Sequence, residues 1–365
     1  MGKKLRDFWA KISDGIAIQQ MWAQLGADAR ASYQLYSKEV DRTAVEGESG
    51  WKRFWRITRG VFWAMVMKLP PGRRVLLLIA LIMLLFPHIS YRSGNEDVDT
   101  GDFKFLGGVI LLGLLALELA DRVIMKRDLE IAREIQSWLM PSKAPDVPGV
   151  DIAFATRPAN TVAGDYYDAF FRPSERLLIV VADVAGKSVP AALLTATLQA
   201  SLRTLAALPG ELTELVTRVN RYSCEQSLQG RRFTTAFLAE LEPATGKLTY
   251  VNAGHNWPVL RRASGEMERL EAGGLPLGIN AALPYQSGAT SMAKGDLLLI
   301  FTDGLVEAED SGAREFGEER MLPLVQSMQP VTAAEALKRI MSSVDAFVGA
   351  TRQHDDITCL VMRMT

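Results

Sequence analysis

Leu177-Leu178-Ile179-Val180-Val181-Ala182-Asp183-Val184-Ala185-Gly186-Lys187 begins as an uninterrupted apolar run and ends in an acid beside a glycine turn. An apolar, β-prone run of this length reads as a buried strand, and its last carboxylate points out of a core. The same grammar recurs at Phe301-Thr302-Asp303-Gly304, which follows Leu297-Leu298-Leu299-Ile300, and at His354-Asp355-Asp356-Ile357, which precedes Thr358-Cys359-Leu360-Val361. A fourth acidic turn is Ala163-Gly164-Asp165-Tyr166-Tyr167-Asp168. Carboxylates at strand ends are hard oxygen donors suited to magnesium or manganese. Two such cations, about 4 Å apart, acidify a shared water and offset phosphoryl charge, which suffices to hydrolyse a phosphate monoester. Asp165, Asp183, Asp303 and Asp355 are the candidate catalytic and metal-ligating residues.

Around these turns, residues 150–365 read as a mixed α and β domain. Runs at 152–156, 177–181, 234–241, 248–252, 297–301 and 357–362 are expected strands. Residues 191–208, 212–229 and 333–348 are expected helices. Pro243-Ala244-Thr245-Gly246 between two of the strands signals a hairpin, which favours antiparallel sheets over alternating βαβ units.

The N-terminal third has a different character. Residues 75–91 carry no Asp, Glu, Lys or Arg, and neither do residues 105–117. Both runs are slightly shorter than the ~20 residues of a comfortable bilayer span. Residues 51–74 hold seven basic side chains and no acid, whereas the connecting segment contains Glu96, Asp97, Asp99 and Asp102. Basic outer flanks around an acidic loop fit a hairpin of transmembrane helices, about 75–91 and 105–120, with both termini cytoplasmic. Buried core helices are the alternative. Trp51, Phe54, Trp55, Phe62 and Trp63 among Lys and Arg suit an interfacial helix, within a cytoplasmic or interfacial region spanning 1–74. Residues 118–141 form a linker helix ended by Pro141. Its Ile124, Ile131 and Trp138 recur every seven residues, so it can pair with a second copy or equally pack on the following domain.

Bulk composition removes several classes. A net charge of −1 over 365 residues gives no nucleic-acid-binding surface. Cys224 and Cys359 lack metal-ligand spacing and read as reduced apolar residues. His88, His255 and His354 are too scattered for a histidine centre. His255 and Asn252 are expected to hydrogen-bond a turn beside the cleft, and Trp257 to pack in the core.

Taken in order, these motifs resemble the metal-dependent type 2C protein phosphatases, in their SpoIIE/RsbU-like bacterial branch. The resemblance runs from about Leu129 to the C-terminus. It includes Ala132-Arg133-Glu134-Ile135-Gln136-Ser137-Trp138-Leu139-Met140-Pro141, Arg157-Pro158-Ala159 and Tyr250-Val251-Asn252-Ala253-Gly254-His255-Asn256 together with the acidic turns. It implies an α/β (α+β) sandwich, two antiparallel β-sheets flanked by helices, here preceded by the helical region with its membrane hairpin. It also implies that Asp183 bridges two Mn2+ or Mg2+ ions, that the Val184 carbonyl is a ligand, and that Asp303 and Asp355 hold the second ion. Asp165 is the additional acidic residue, and Asp356 is expected to cap its strand. Ala163 and Ser188 stand where the branch usually has glycine.

The resulting expectation is a membrane-tethered protein serine/threonine phosphatase at a bacterial inner membrane, its phosphatase domain cytoplasmic. Its substrate would be a phosphorylated protein, by resemblance an anti-anti-sigma (STAS-domain) regulator. A catalytically silent phosphoprotein receptor of the same fold is the alternative, and a homodimer through the linker helix is one of two uses open to that helix.

Overall fold

The computed structural model describes residues 50–86, 90–93, 96–99, 103–186, 189–226, 232–328 and 331–365. Readings placed on residues 1–49, on His88 and on Lys187 and Ser188 lie outside them. By contacts the chain divides into two units, Met1–Val123 and Ile124–Thr365.

The first unit contains helices α1 (Gly50–Lys68) and α2 (Pro71–Leu85), strands β1 (Ser90–Ser93) and β2 (Glu96–Asp99), and the start of α3 (Lys104–Leu139). Pro70 and Pro71 separate α1 from α2, and a proline in the first turn suits a helix start. Arg73 bonds to Glu118 and Asp121 at 3.1 and 2.6 Å. The expected transmembrane hairpin is corrected here. At 1.5 Å per residue the 15 residues of α2 extend about 22 Å, short of a ~30 Å hydrocarbon core. The second expected span and the linker are one 36-residue helix, whose apolar run is interrupted by Glu118, Asp121 and Arg122. Among the described residues, no helix is long and apolar enough to cross a membrane. The expected acidic loop instead contains the β1–β2 hairpin.

The second unit is a sandwich. One sheet has the order β10 (Gly273–Gly274), β7 (Lys247–Ala253), β6 (Thr234–Glu242), β5 (Leu177–Val184), β4 (Asp165–Phe171), with β11 (Gly288–Ser291) also on β7. The other runs β3 (Val150–Arg157), β13 (Ile357–Met364), β12 (Leu297–Phe301), β8 (Val259–Arg261), β9 (Met267–Arg269). Among the described residues, the strands pair antiparallel except for the short β10–β7 contact, and an isolated Ala236–Gly254 bridge is also parallel. The expected β6–β7 hairpin is present, its turn closed by Gly246 N–H on the Glu242 carbonyl.

Strand alternation explains the layers. Leu177, Ile179 and Val181 face Leu298, Ile300, Leu360 and Met362 between the sheets. Their neighbours Leu178, Val180 and Ala182 face the opposite way, onto α4 (Val189–Ala206) and α5 (Leu212–Gln226). On the outside of the second sheet, Leu299, Phe301 and Val361 pack on α7 (Glu318–Gln326) and α8 (Ala333–Val348), while α6 (Asp303–Val306) is a single turn. A helix–sheet–sheet–helix stack buries both faces of each sheet, which is why β5 and β12 read as continuous apolar runs.

Candidate metal centre

The two sheets bring the acidic motifs to one end of the sandwich. Asp165 opens β4 and lies directly opposite Asp183 of β5, with Thr235 of β6 on the other side of Asp183. Directly opposed residues of antiparallel strands share a face, so Asp165, Asp183 and Thr235 form one row. Asp165 is 2% exposed. Burial, then repulsion from Asp183 and Asp356, raises its carboxyl well above the usual carboxylate range, against the Thr358 and Thr302 hydrogen bonds. The reading of Asp165 as part of a turn is corrected: it is the first residue of a strand missed because Asp165 and Asp168 lower its apparent β propensity.

The second sheet supplies the other two carboxylates. Thr302 follows β12 and donates its hydroxyl to Asp165 at 2.9 Å, while accepting from the Thr358 N–H at 2.9 Å. The next residues, Asp303-Gly304, lie against the start of β13. A side chain at Gly304 would overlap the Asp356 carbonyl oxygen, so only glycine permits this approach. Asp303 and Asp355 are both half-buried there. Asp355 accepts the Asp356 N–H at 2.9 Å, and its own carbonyl accepts from Gln353 at 2.6 Å.

Asp356 neither caps the strand nor uses its carboxylate to orient Asp355. Its two oxygens accept the N–H groups of Ala159 and Gly164 at 2.7 and 2.6 Å, pinning the loop that leads into Asp165. Gln136, from the end of α3, clamps the same loop: it donates to the Ala163 carbonyl at 2.7 Å and accepts the Ala163 N–H at 2.9 Å. Ala163 does not have positive φ, so its departure from glycine brings no backbone strain. On the other side, a Cβ on Gly164 would sit 3.2 Å from the Val184 carbonyl. That carbonyl, the expected backbone ligand, therefore lies beside the loop.

Other residues of the flanking motifs are engaged elsewhere. Arg157 pairs with Asp345 at 2.5 Å. His354 is exposed, 3.7 Å from Glu309. Trp257 is exposed and not a core residue, which corrects its assignment. Asn252 and His255 hydrogen-bond their turn as expected. Asp168 is fully buried and engaged by Arg203 and Tyr166, a structural role.

Among the described residues, no three His, Cys, Asp or Glu side chains converge into a ready-made cage. The donor set still suits a hard divalent cation. Asp165 and Asp183 face each other with Asp165 desolvated, and a cation relieves that repulsion.

Comparison with known proteins identifies the family and the fold. Residues 173–365 match the family model described as Stage II sporulation protein E (SpoIIE). The phosphoserine phosphatase RsbU of Bacillus subtilis is 30% identical over 241 residues, covering 66% of this chain and 70% of RsbU. Phosphoserine phosphatase RsbP of the same organism is 28% identical over 186 residues, covering 50% of this chain and 46% of RsbP. The solved SiaA-PP2C domain of Pseudomonas aeruginosa shares the fold with a TM-score of 0.60 at 20% identity, over 67% of this chain and 99% of that domain. The chain belongs to the SpoIIE family, the bacterial branch of the metal-dependent PP2C-type protein serine/threonine phosphatases.

Proposed function

We propose that this phosphatase hydrolyses phosphoserine or phosphothreonine at the end of the sandwich where Asp165 and Asp183 face each other. That juxtaposition, with Asp165 desolvated, is the observation that carries the reading. Asp165, Asp183, Asp303, Asp355 and the Val184 carbonyl would hold two Mn2+ or Mg2+ ions, with Asp183 shared. Bound there, divalent cations supply an acidified water and compensation for phosphoryl charge.

The protein's own groups prepare this centre. Thr302 fixes the Asp165 carboxylate, Asp356 and Gln136 fix the loop before it, and the Gly304 contact holds Asp303 beside Asp355. His255 is 4% exposed and engaged with Thr235, so it is not placed to protonate a leaving serine. The leaving group takes its proton from solvent in this reading.

The substrate we propose is a phosphorylated STAS-domain regulator, as the resemblance to the SpoIIE/RsbU-like branch implies. Attachment to the cytoplasmic face of a bacterial membrane is supported by exposed Leu76, Leu78, Ile82, Leu112 and Leu115 on α2 and α3. Pairing of two copies through α3 is supported by exposed Ile124, Ile131 and Trp138 at heptad spacing.

The test is phosphate release from a phosphoserine STAS protein by the full chain with Mn2+, Mg2+ or EDTA. Release that needs the metal and drops at least 100-fold in Asp183→Asn supports the reading. Equal release from Asp183→Asn, or release unaffected by EDTA, overturns it.

A further inference from the structure

The turn that carries His255 is built more elaborately than a surface loop needs. Asn252 accepts the His255 N–H at 2.7 Å and donates to the His255 and Leu270 carbonyls at 3.0 and 3.5 Å. Gly254 adopts φ +70°, and a side chain there would press on Pro276. Gly273 abuts the Asn252 carbonyl so closely that any Cβ would overlap it. The product of these constraints is one imidazole held in one place.

That imidazole is buried, and no partner of its Nε2 has good hydrogen-bond geometry, although the Phe301 backbone lies close to the ring. A buried polar atom poorly paired costs free energy. What the imidazole adds is its other nitrogen. Nδ1 lies 3.1 Å from the Thr235 hydroxyl. Thr235 stands directly opposite Asp183, on the same face of the sheet. The ring also lies close to the backbone of Phe301, the last residue of β12 and two before Asp303. The imidazole thus sits between Thr235, the neighbour of Asp183, and the end of the strand that leads into Asp303.

We infer that His255 is a positioning residue: by holding the Thr235 hydroxyl it fixes the group that flanks Asp183, and so tunes cation binding. This rests on Asp183 as a metal ligand. Partners one step removed from a ligand change metal affinity by roughly 10–100-fold when lost.

The test measures Mn2+ affinity of the full chain by calorimetry, beside kcat and KM for a phosphoprotein. His255→Phe keeps the ring's bulk without Nδ1, and Thr235→Val removes the hydroxyl at constant shape. Each is expected to weaken Mn2+ binding roughly tenfold and to lower kcat with KM unchanged. The double variant should be no weaker than either single one, because both remove the same contact. Thr235→Ser, which retains the hydroxyl, should lose less than Thr235→Val. Unchanged Mn2+ affinity in Thr235→Val, or a double variant that loses the product of the two effects, overturns the inference. Thr235→Val answers the question alone should His255→Phe not fold. Absence of Mn2+ binding by the parent chain overturns the metal centre itself, and the inference with it.

Discussion

Buried titratable groups give this domain a pH dependence that separates by residue. Burial pushes the His255 imidazole down from 6.5 to about 4, the nearby Phe301 backbone opposing only in part. The unfolded chain therefore binds a proton that the folded one refuses between those values. Stability from this group is present above pH 6.5 and is lost as pH falls toward 4, by roughly 3 kcal/mol in all. Urea unfolding midpoints between pH 7 and 4 should fall less steeply in His255→Gln than in the parent. Asp165 acts in the opposite sense. Its raised carboxyl pKa means that, without a cation, folding weakens as pH rises past the ordinary carboxylate value.

Among the elements, the last turn of α3 and the loop 158–164 depend on each other. Gln136 satisfies both backbone groups of Ala163 in a buried setting. Gln136→Ala should cost about 1–3 kcal/mol, since Ala163 keeps its burial but loses its partners. Amide exchange at residues 163–165 should speed up in that variant while exchange in β5 and β6 stays slow. Elements of this kind were legible where one period dominated. Residues 297–301 and 333–348 are a strand and a helix with the expected ends, because an unbroken apolar run and a 3.6-residue stripe leave little choice. β4 was not legible: its Asp165 and Asp168 are paid partners of Thr302 and Arg203, contacts more than 30 residues away that no local pattern announces. Asp183, Asp303 and Asp355 were readable beside the ends of expected strands, Asp165 only from its turn motif. Thr302, Gln136 and the true use of Asp356 were not, because their roles exist only once two sheets and a helix meet. The hairpin of spans failed for another reason. Charge-free runs marked helices well, but α2 ends after 15 residues and the apolar run of α3 meets Glu118, Asp121 and Arg122, so neither described helix is long and apolar enough to span a bilayer.

At the scale of the molecule, cation binding should be visible as stability. In the proposed centre Mn2+ would bind the folded chain only, so millimolar Mn2+ should raise Tm by several degrees, in proportion to RT ln(1 + [L]/Kd). Because protons compete for Asp165, that gain should shrink from pH 8 to pH 5, a trend that thermal scans with and without EDTA would reveal. A Tm gain independent of pH would speak against Asp165 as part of the centre. The row across β4 and β5 has a consequence for ion choice. Asp165 and Asp183 are neighbours in a hydrogen-bonded ladder, where opposed Cα atoms are held about 4.5–5.5 Å apart. Helices pack behind these strands, so that spacing is a fixed jaw. Asp303 and Asp355 sit on turns outside their strands and form the adjustable one. In the proposed centre, discrimination between a small ion such as Mg2+ and a larger one would therefore belong to the turns at 302–304 and 353–356, and swapping those turns between relatives would carry metal preference with them.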